Sequence, residues 1–477
     1  MTLNKIFCKS VFGLLSGLMP LWGQATDLSG QHLVIYLSGF WAIPFVGLLL
    51  SIALAPMLTP LLWHRHFGKI AAGWGLAFLL PCSALFGVDE AFSSATHTLF
   101  AEYFPFIILL ATLFVVAGGI CVRGNLHGTP ELNVGFLALG TVLASVMGTT
   151  GAAMLLVRPL IRANDNRQHV KHVMVFFIFL VANAGGALTP LGDPPLFLGF
   201  LHGVDFLWTL KNVFAQTLFL CLSLLFMFYL LDRYYYHRRD ETHPARLDPT
   251  PDSAIQIEGK INFILLAGVV LLVLMSGFWK PGIAFQIMGQ KLELQNMLRD
   301  TGLLLLMLAS LKLTPASARE GNEFTWGPII EVAKIFAAIF ITIVPVIALL
   351  KAAEAGPFSS VIVALSDQQG HPINAMYFWS SGLLSSFLDN APTYLVFFNT
   401  AGGDPALLMT KLAATLAAIS CGSVFMGAMS YIGNAPNMMV KAIAEQRNIV
   451  MPSFFGYMAW SCCILLPLFA VITLIFF

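Results

Sequence analysis

The chain has 477 residues, of which 58% are hydrophobic and only 10% are charged, and its mean hydropathy is +0.81. Soluble domains carry about 25% charged residues, so this composition excludes a soluble globular protein and predicts one that lies in lipid. The formal net charge of +1 favours no nucleic-acid partner, and the sequence has no phosphate-binding G-x-x-x-x-G-K-[ST] loop. We therefore expect neither an enzyme nor a resident cofactor.

The N-terminal segment 1–25 has two interpretations. Lys5 and Lys9 precede an apolar run at 11–22, which a small-residue sequence, Gly23-Gln24-Ala25, follows. This order is typical of a secretory signal peptide, and an uncleaved short first span fits equally well. In both cases the next segment begins outside the cell.

In chain order the sequence then predicts ten membrane crossings, each near the roughly 20 residues that a bilayer requires. The first repeat, residues 33–231, contains crossings at about 33–60, 70–87, 103–122, 173–200 and 207–231. The second repeat, residues 261–477, contains crossings at about 261–279, 300–314, 326–350, 411–440 and 454–477. The polar stretch 232–260 is predicted to be a cytoplasmic linker. Its Tyr-His-Arg cluster is either a solvated, positively charged segment, which we favour, or a site for lipid headgroups.

Four of the apolar segments are interrupted by Gly, Pro and polar residues. Two of them, 134–161 and 375–400, are predicted to be re-entrant hairpins, and 173–200 and 411–440 are predicted to be broken helices. The sequence therefore predicts an all-α integral membrane protein with an inverted repeat, since five crossings per half reverse the orientation of the second half. The Lys and Arg residues agree, because 16 fall in predicted inside segments and 6 in outside segments. We expect a multi-pass protein of the inner (plasma) membrane.

The interrupted segments of the two halves are related by an offset of 241 residues. The offset pairs Ser145 with Ser386, Thr189 with Ser430, Gly192 with Gly433, and Pro195 with Pro436. Gly- or Pro-interrupted segments at corresponding positions of two halves are the best sequence indication of a transporter's binding site. The chain is therefore predicted to move a small solute or ion.

Asp193 and Asp389 are the most informative residues, because a carboxylate at membrane depth is costly and indicates function. The offset aligns Asp193 with Asn434 and Asp389 with Gly148, so each half brings one acid at a different position. We expect the two carboxylates to meet in a central cavity, where they would bind Na⁺ when ionised and a proton when not. The alternative is that each Asp caps the N-terminus of its half-helix.

Other polar residues at the breaks are candidates for ion or substrate contacts, or for ordinary helix packing. They are Asn183, Thr189, Gly192, Thr149, Thr150, Ser385, Asn390, Thr393, Ser430 and Asn434. Glu331 and Lys334, about one helical turn apart, are predicted to form an ion pair or, alternatively, a proton relay or anion contact.

Three of these stretches resemble the motifs of the ion transporter superfamily: GGALTPLGDPP (185–195), SSFLDNAPT (385–393) and TTGAAMLLVRPLIR (149–162). The chain from about residue 35 onward is most similar to the NhaD-type sodium/proton antiporters and the related citrate transporter branch. The resemblance implies a homodimer with a scaffold part and an elevator-like moving part built from the hairpins and broken helices. It also implies ion-site roles for Asp193 and for Asp389-Asn390. Thr149-Thr150-Gly151 departs from the acidic DN pair of related antiporters, and neither tip has the Ser-Asn-Thr signature of dicarboxylate symporters.

Two functions follow as hypotheses, with membrane lipid and a small ion or organic anion as partners. The first is exchange of Na⁺ (or Li⁺) for H⁺ at Asp193 and Asp389. The second is transport of citrate or another organic anion coupled to Na⁺ or H⁺, with hairpin N-termini binding the carboxylates. The hairpin tips offer only Lys334 and Arg158 as cations, and this scarcity favours antiport. A membrane scaffold, a third alternative, would leave the buried acids unexplained.

Overall fold

The computed structural model describes residues 38–238, 241, 253–287, 290–351 and 357–477. The predicted signal peptide or first span at 1–25 lies outside these residues, and so does the start of the predicted crossing 33–60.

The first half contains helices α1–α10, with a 3₁₀ turn, Gly39–Ala42, before α1 and a π-helical segment, Leu99–Tyr103, between α3 and α4. In order, α1–α10 span Ile43–Leu58, Pro60–Phe86, Val88–Thr98, Phe104–Gly118, Pro130–Met147, Thr149–Ala163, Lys171–Leu180, Pro194–Leu201, Trp208–Asn212 and Phe214–Tyr236. The second half contains α11–α21. These span Ile261–Phe278, Leu294–Leu313, Ala316–Gly321, Gly327–Lys351, Ser359–Ala364, Asn374–Phe387, Asn390–Thr400, Pro405–Met409, Ala413–Phe425, Ala435–Gln446 and Phe454–Phe476.

Two short antiparallel strand pairs accompany the helices. Strand β1, Cys121–Arg123, pairs with β2, Gln256–Glu258, and β3, Ala284–Ile287, pairs with β4, Gln290–Glu293. The β1–β2 pair joins the end of α4 to the start of α11 and so ties the two halves together. Because α10 continues to Tyr236 and β2 precedes α11, both described ends of the predicted linker 232–260 are regular structure.

Within the described residues, nine helical stretches are long and apolar enough to cross a membrane. They are Gly39–Pro56, Pro60–Phe86, Val88–Gly118, Pro130–Met147, Lys171–Leu188, Phe214–Tyr236, Ile261–Phe278, Gly327–Lys351 and Phe454–Phe476. The prediction of an all-α membrane protein is confirmed.

Three predicted crossings differ clearly from the structure in their extent. The crossing predicted at 103–122 belongs to a helical stretch, Val88–Gly118, that begins well before it. Helix α2 begins at Pro60, so the predicted loop that holds His64, Arg65 and His66 is helical; proline is favoured in the first turn of a helix because its missing N–H has no partner there. The predicted crossing 300–314 lies in α12, which is 20 residues long and includes the charged Arg299 and Asp300.

Three of the four helix breaks contain Gly or Pro, and the fourth, between α16 and α17, lies at Leu388 and Asp389. Gly148, with φ +82°, separates α5 from α6, and a positive φ of this size is readily adopted only by glycine. Helix α7 gives way to a 3₁₀ turn, Ala184–Leu188, before α8 begins at Pro194. In the second half α19 gives way to the 3₁₀ turn Met426–Met429 before α20. Each half therefore contains a helix–turn–helix hairpin and an interrupted helix.

Candidate ion-binding site

The two interrupted helices contain the same close backbone contact. A Cβ atom on Gly192 would lie 2.2 Å from the carbonyl oxygen of Gly186, and one on Gly433 would lie 2.6 Å from that of Gly427. These pairs correspond at the 241-residue offset. In both halves the extended segment therefore passes directly over the preceding 3₁₀ turn, where only glycine leaves enough space. Gly192, a candidate contact residue in the sequence, has this structural role.

Equivalent hydrogen bonds also tie each interrupted helix to its hairpin. The Thr189 hydroxyl donates to the carbonyl oxygen of Ser145, and the Ser430 hydroxyl donates to that of Ser386 at 2.5 Å. All four residues were paired by the sequence offset. The predicted repeat is therefore present in three dimensions, and Thr189 and Ser430 anchor the breaks to the hairpins.

The Asp193 carboxylate lies where the two halves meet. It is 2% exposed and accepts hydrogen bonds from the Thr149 hydroxyl at 3.0 Å, the Asn434 amide at 3.3 Å and the Asn390 amide. Thr149 and Asn390 are equivalent positions at the two hairpin tips, and Asn434 is the equivalent of Asp193 itself. Three of the four interrupted segments thus supply a neutral donor to the carboxylate that the fourth carries.

Asp193 has neither a capping role nor a cationic partner. It stands at the N-cap position of α8, but its side chain makes no capping hydrogen bond, so the capping interpretation is wrong for this residue. No Lys, Arg or His in the described ranges forms an ion pair with it. Burial without a cationic partner disfavours the ionised carboxylate, whereas the three neutral donors favour it.

Asp389 has a different environment. Its carboxylate accepts a hydrogen bond from the backbone N–H of Ala391 at 3.1 Å and so caps α17, as the alternative interpretation predicted. The Thr393 hydroxyl donates to the Asp389 carbonyl oxygen at 3.0 Å. Asp389 is only partly buried. Its neighbour Asn390, rather than Asp389 itself, contacts the carboxylate of Asp193.

Asn390 carries an oxygen with unused bonding capacity. The residue is fully buried, and its amide group donates to Asp193. Its amide oxygen accepts no hydrogen bond within the described part of the chain. A buried carbonyl oxygen without a donor is costly, so a cation or a water molecule bound next to Asp193 would satisfy it.

A second layer of asparagines joins the two interrupted helices. The Asn183 amide donates to the Asn437 side-chain oxygen at 2.7 Å, and the Asn434 amide donates to the carbonyl oxygen of Ala182 at 3.1 Å. Asn437 also donates to the carbonyl oxygen of Gly427 at 2.8 Å. Asn437 was not predicted as a site residue, although it lies three residues after Asn434 in the first turn of α20.

The remaining candidates lie at the edge of this arrangement or away from it. Thr150 is half-buried next to Thr149, and the Ser385 hydroxyl donates to the carbonyl oxygen of Ser423 at 2.6 Å. Glu331 and Lys334 form no ion pair with each other in the described structure. The Lys334 ammonium group instead lies 5.5 Å from the centre of the Phe67 ring.

Residues 35–477 match the protein family described as "Putative citrate transport". The chain belongs to this family. A comparison with curated proteins finds no match. The matched stretch of the transporter includes both predicted repeats and all the residues of the site described above.

The transporter also has a buried polar network at the other end of the first hairpin. Asp232, fully buried near the end of α10, accepts from Arg167 at 2.6 Å, from Asn133 at 2.8 Å and lies 2.8 Å from the His172 ring nitrogen. The prediction that Asp232 begins a solvated linker is wrong. The network binds the base of α5 and α7 to α10.

Glu323 joins two interrupted elements outside the membrane-spanning helices. Its carboxylate binds Arg158 of α6 at 3.3 Å and Arg447, which follows α20, at 2.7 Å. Burial raises the pKa of Glu323, but the two guanidinium groups outweigh this effect and hold the pKa below its usual value. Glu323 is therefore ionised at neutral pH and holds the hairpin and the second broken helix together.

Proposed function

We propose that the transporter exchanges Na⁺ for H⁺ at the Asp193 carboxylate. The observation that carries this proposal is a carboxylate, 2% exposed, whose partners among the described residues are neutral hydroxyl and amide donors. An ionised carboxylate in this position needs a compensating cation, and without one it takes up a proton.

Oxygen atoms around Asp193 make Na⁺ a suitable occupant. The Thr149 hydroxyl and the Asn390 amide oxygen belong to the two hairpin tips, and interrupted backbone supplies further carbonyl groups nearby. Unwound backbone and half-helix ends coordinate Na⁺ or H⁺ in transporters with broken helices. The Asn390 oxygen, which lacks a donor, would be the amide ligand.

Competition for a single carboxylate produces antiport if the site crosses only when Na⁺ or H⁺ is bound and not when it is empty. Na⁺ binds only to ionised Asp193, and a proton on Asp193 removes the charge that attracts Na⁺. A binding site that carries either ion across, but not both together, exchanges one ion for the other and needs no further energy source. Asp389, at the adjacent hairpin tip, would strengthen the negative potential that favours Na⁺.

The contacts between interrupted segments support movement of the site as one body. Asn390 of the second hairpin and Asn434 of the second broken helix both bind Asp193 of the first broken helix. We propose that these segments move together past the remaining helices in an elevator-like motion, in a homodimer of the plasma membrane.

Purified transporter in liposomes tests the exchange. An imposed Na⁺ gradient should drive a change of lumenal pH, and Asp193→Asn should abolish it while the protein still reconstitutes. Asp205→Asn, which removes an exposed acid from a loop, is the matched control and should exchange normally. Wild-type vesicles that show no Na⁺-driven pH change would contradict the proposal.

Transport of citrate or another organic anion is the second candidate, and the family description favours it. In this case Na⁺ or H⁺ at Asp193 would offset the negative charge that otherwise repels an anionic substrate. Radiolabelled citrate distinguishes the two functions. The second candidate predicts citrate accumulation that depends on a Na⁺ or proton gradient. If vesicles without citrate also show no Na⁺-driven proton movement, simple antiport is excluded.

A further inference from the structure

An apolar groove lies between helices α10 and α21. It has a volume of about 720 Å³, and its lining includes Leu230 and Tyr234 of α10, Trp460 and Cys463 of α21, and Phe176 of α7. The two helices are antiparallel and meet at the other end, where the rings of Phe219 and Phe476 are 6.4 Å apart. Toward Tyr234 they separate, and Phe176 forms the floor of the gap.

A second, shallow cavity with both polar and apolar residues in its lining adjoins this groove. It has a volume of about 440 Å³ and is lined by Leu230, Arg233, Tyr234, His237 and Arg238. Leu230 and Tyr234 line both cavities, so the apolar groove opens directly onto a basic surface. This surface lies at the end of α10 that the positive-inside pattern assigns to the cytoplasm.

We propose that the two cavities together bind one phospholipid with an anionic headgroup. The shape and the charge both favour this occupant: an acyl chain fills the apolar groove, and the phosphate lies against Arg233, His237 and Arg238. Basic pockets between membrane helices on the cytoplasmic side bind anionic headgroups in this way. Tyr234 and Trp460 are amphipathic aromatic residues of the kind that lie at the level of the headgroups.

The bound lipid would contact the helix that leads to Asp193. Phe176 belongs to α7 and packs against Phe228 of α10, with ring centres 5.4 Å apart. One turn earlier, His172 stacks on Tyr235 at 4.8 Å. The lipid site therefore adjoins the base of the first broken helix, and it is independent of which ion or anion the transporter moves.

Trp460 provides a direct readout of occupancy, because brominated acyl chains quench tryptophan fluorescence on contact. The transporter is reconstituted in phosphatidylcholine that contains a small fraction of brominated phosphatidylglycerol or, separately, brominated phosphatidylcholine. Subtraction of the signal of Trp460→Phe isolates the Trp460 component. The anionic lipid should quench this component at a much lower mole fraction than the zwitterionic lipid.

Charge removal tests the headgroup contact. Arg233→Gln and Arg238→Gln should each raise the half-quenching fraction of phosphatidylglycerol by about fivefold, since a surface arginine contributes about 1 kcal/mol to binding of an anionic headgroup. Arg65→Gln and Lys312→Gln are matched controls, because both residues are exposed on other helices of the same predicted face. Neither control should change the quenching.

Two results would overturn the proposal. The first is equal quenching of Trp460 by the two brominated lipids, which would show that the basic residues select no headgroup. The second is a covalent dimer formed through Cys463 under mild oxidation and lost in Cys463→Ser, which would show that a second copy of the chain covers the groove.

Discussion

Asp193→Asn should abolish the Na⁺ dependence of the transporter's stability. A ligand that binds only the folded protein stabilises it by about 2.7 kcal/mol when present at one hundred times its Kd. Wild-type transporter in detergent should therefore unfold at a higher temperature in NaCl than in choline chloride of equal ionic strength. The Asn variant has no carboxylate to attract Na⁺, so the two salts should give the same unfolding temperature.

The Asp193→Asn variant should still fold, because the hydrogen bonds around residue 193 limit its loss of folding stability. In the Asn variant an NH₂ group replaces one of the two carboxylate oxygens and faces donors that previously bound that oxygen. A buried donor without an acceptor costs about 1–3 kcal/mol. The Asn390 oxygen, which has no donor in the described structure, lies next to this position and would accept from the new amide after a side-chain flip. Removal of a buried charge also relieves its desolvation cost. Stability without Na⁺ should thus remain close to that of the wild type.

Unfolding is followed by intrinsic fluorescence, with Asp205→Asn as the control that retains the Na⁺ effect. Persistence of the Na⁺-dependent stabilisation in Asp193→Asn would refute the assignment of the cation to this carboxylate. A variant that failed to fold in both salts would instead contradict the estimate of the local energies.

Three further predictions concern the surroundings of the site. Asp389→Asn should keep the α17 cap and the folding stability but slow Na⁺-driven exchange. Asp389→Ala should slow exchange and also lower the free energy of unfolding in urea by about 1 kcal/mol, because the cap is lost. Full exchange in the Asn variant would show that Asp389 only caps. Gly192→Ala should prevent assembly of a stable protein, because its Cβ would overlap the backbone of Gly186. Gly73→Ala, with open space around it, is the control and should be neutral or stabilising by about 0.5–1 kcal/mol in thermal unfolding. Equal effects of the two substitutions would contradict the close contact at Gly192. Glu323→Gln should destabilise the protein at neutral pH by about 1 kcal/mol. It removes the charge that pairs with the buried Arg158 guanidinium, although the amide oxygen can still accept a hydrogen bond and solvent screens the half-exposed side chain. Lys441→Gln, at an exposed i,i+4 pair, should cost about 0.5 kcal/mol or less. Since the pKa of Glu323 is lowered in the folded state, its contribution should disappear as pH falls through that lowered pKa, and a difference between wild type and Glu323→Gln that persists at low pH would exclude this ion pair as the cause.

The interrupted helices were predictable because their signals are local. Gly148 ends α5 because it readily adopts a positive φ, and Pro194 begins α8 because it lacks an N–H and has a fixed φ. Neither signal depends on a distant contact. The offset of 241 residues also predicted which positions would be equivalent, as the hydrogen bonds of Thr189 and Ser430 confirm.

The identity of the side chains at the centre was only partly predictable. The offset establishes that Asp193 and Asn434 are equivalent, but it does not determine which residues of a hairpin tip reach across to the other half. In the structure Asn390 reaches Asp193, while the carboxylate of Asp389 turns back to cap its own helix. This choice depends on the rotation of α17 against α8, which no local pattern encodes.

Contacts between residues distant in sequence could not be predicted for the same reason. Hydropathy falls at Asp232, so a sequence window assigns it to a polar linker. Its burial depends on Arg167, which neutralises its charge, and on a contact with the His172 ring. Both residues lie 60 or more residues earlier in the chain. The strands β1 and β2 are likewise distant in sequence, since helices α5–α10 lie between them. Each has only three residues, too few for a recognisable alternation of apolar and polar side chains.

Proton release on Na⁺ binding tests the exchange at Asp193 most directly. Na⁺ is added to weakly buffered, detergent-solubilised transporter, and a pH indicator records protons released to the solution, with choline as the reference cation. Wild-type protein should release protons in proportion to the Na⁺ bound, and Asp193→Asn should release none. Na⁺ binding without proton release, or release that persists in Asp193→Asn, would show that this carboxylate does not exchange the two ions.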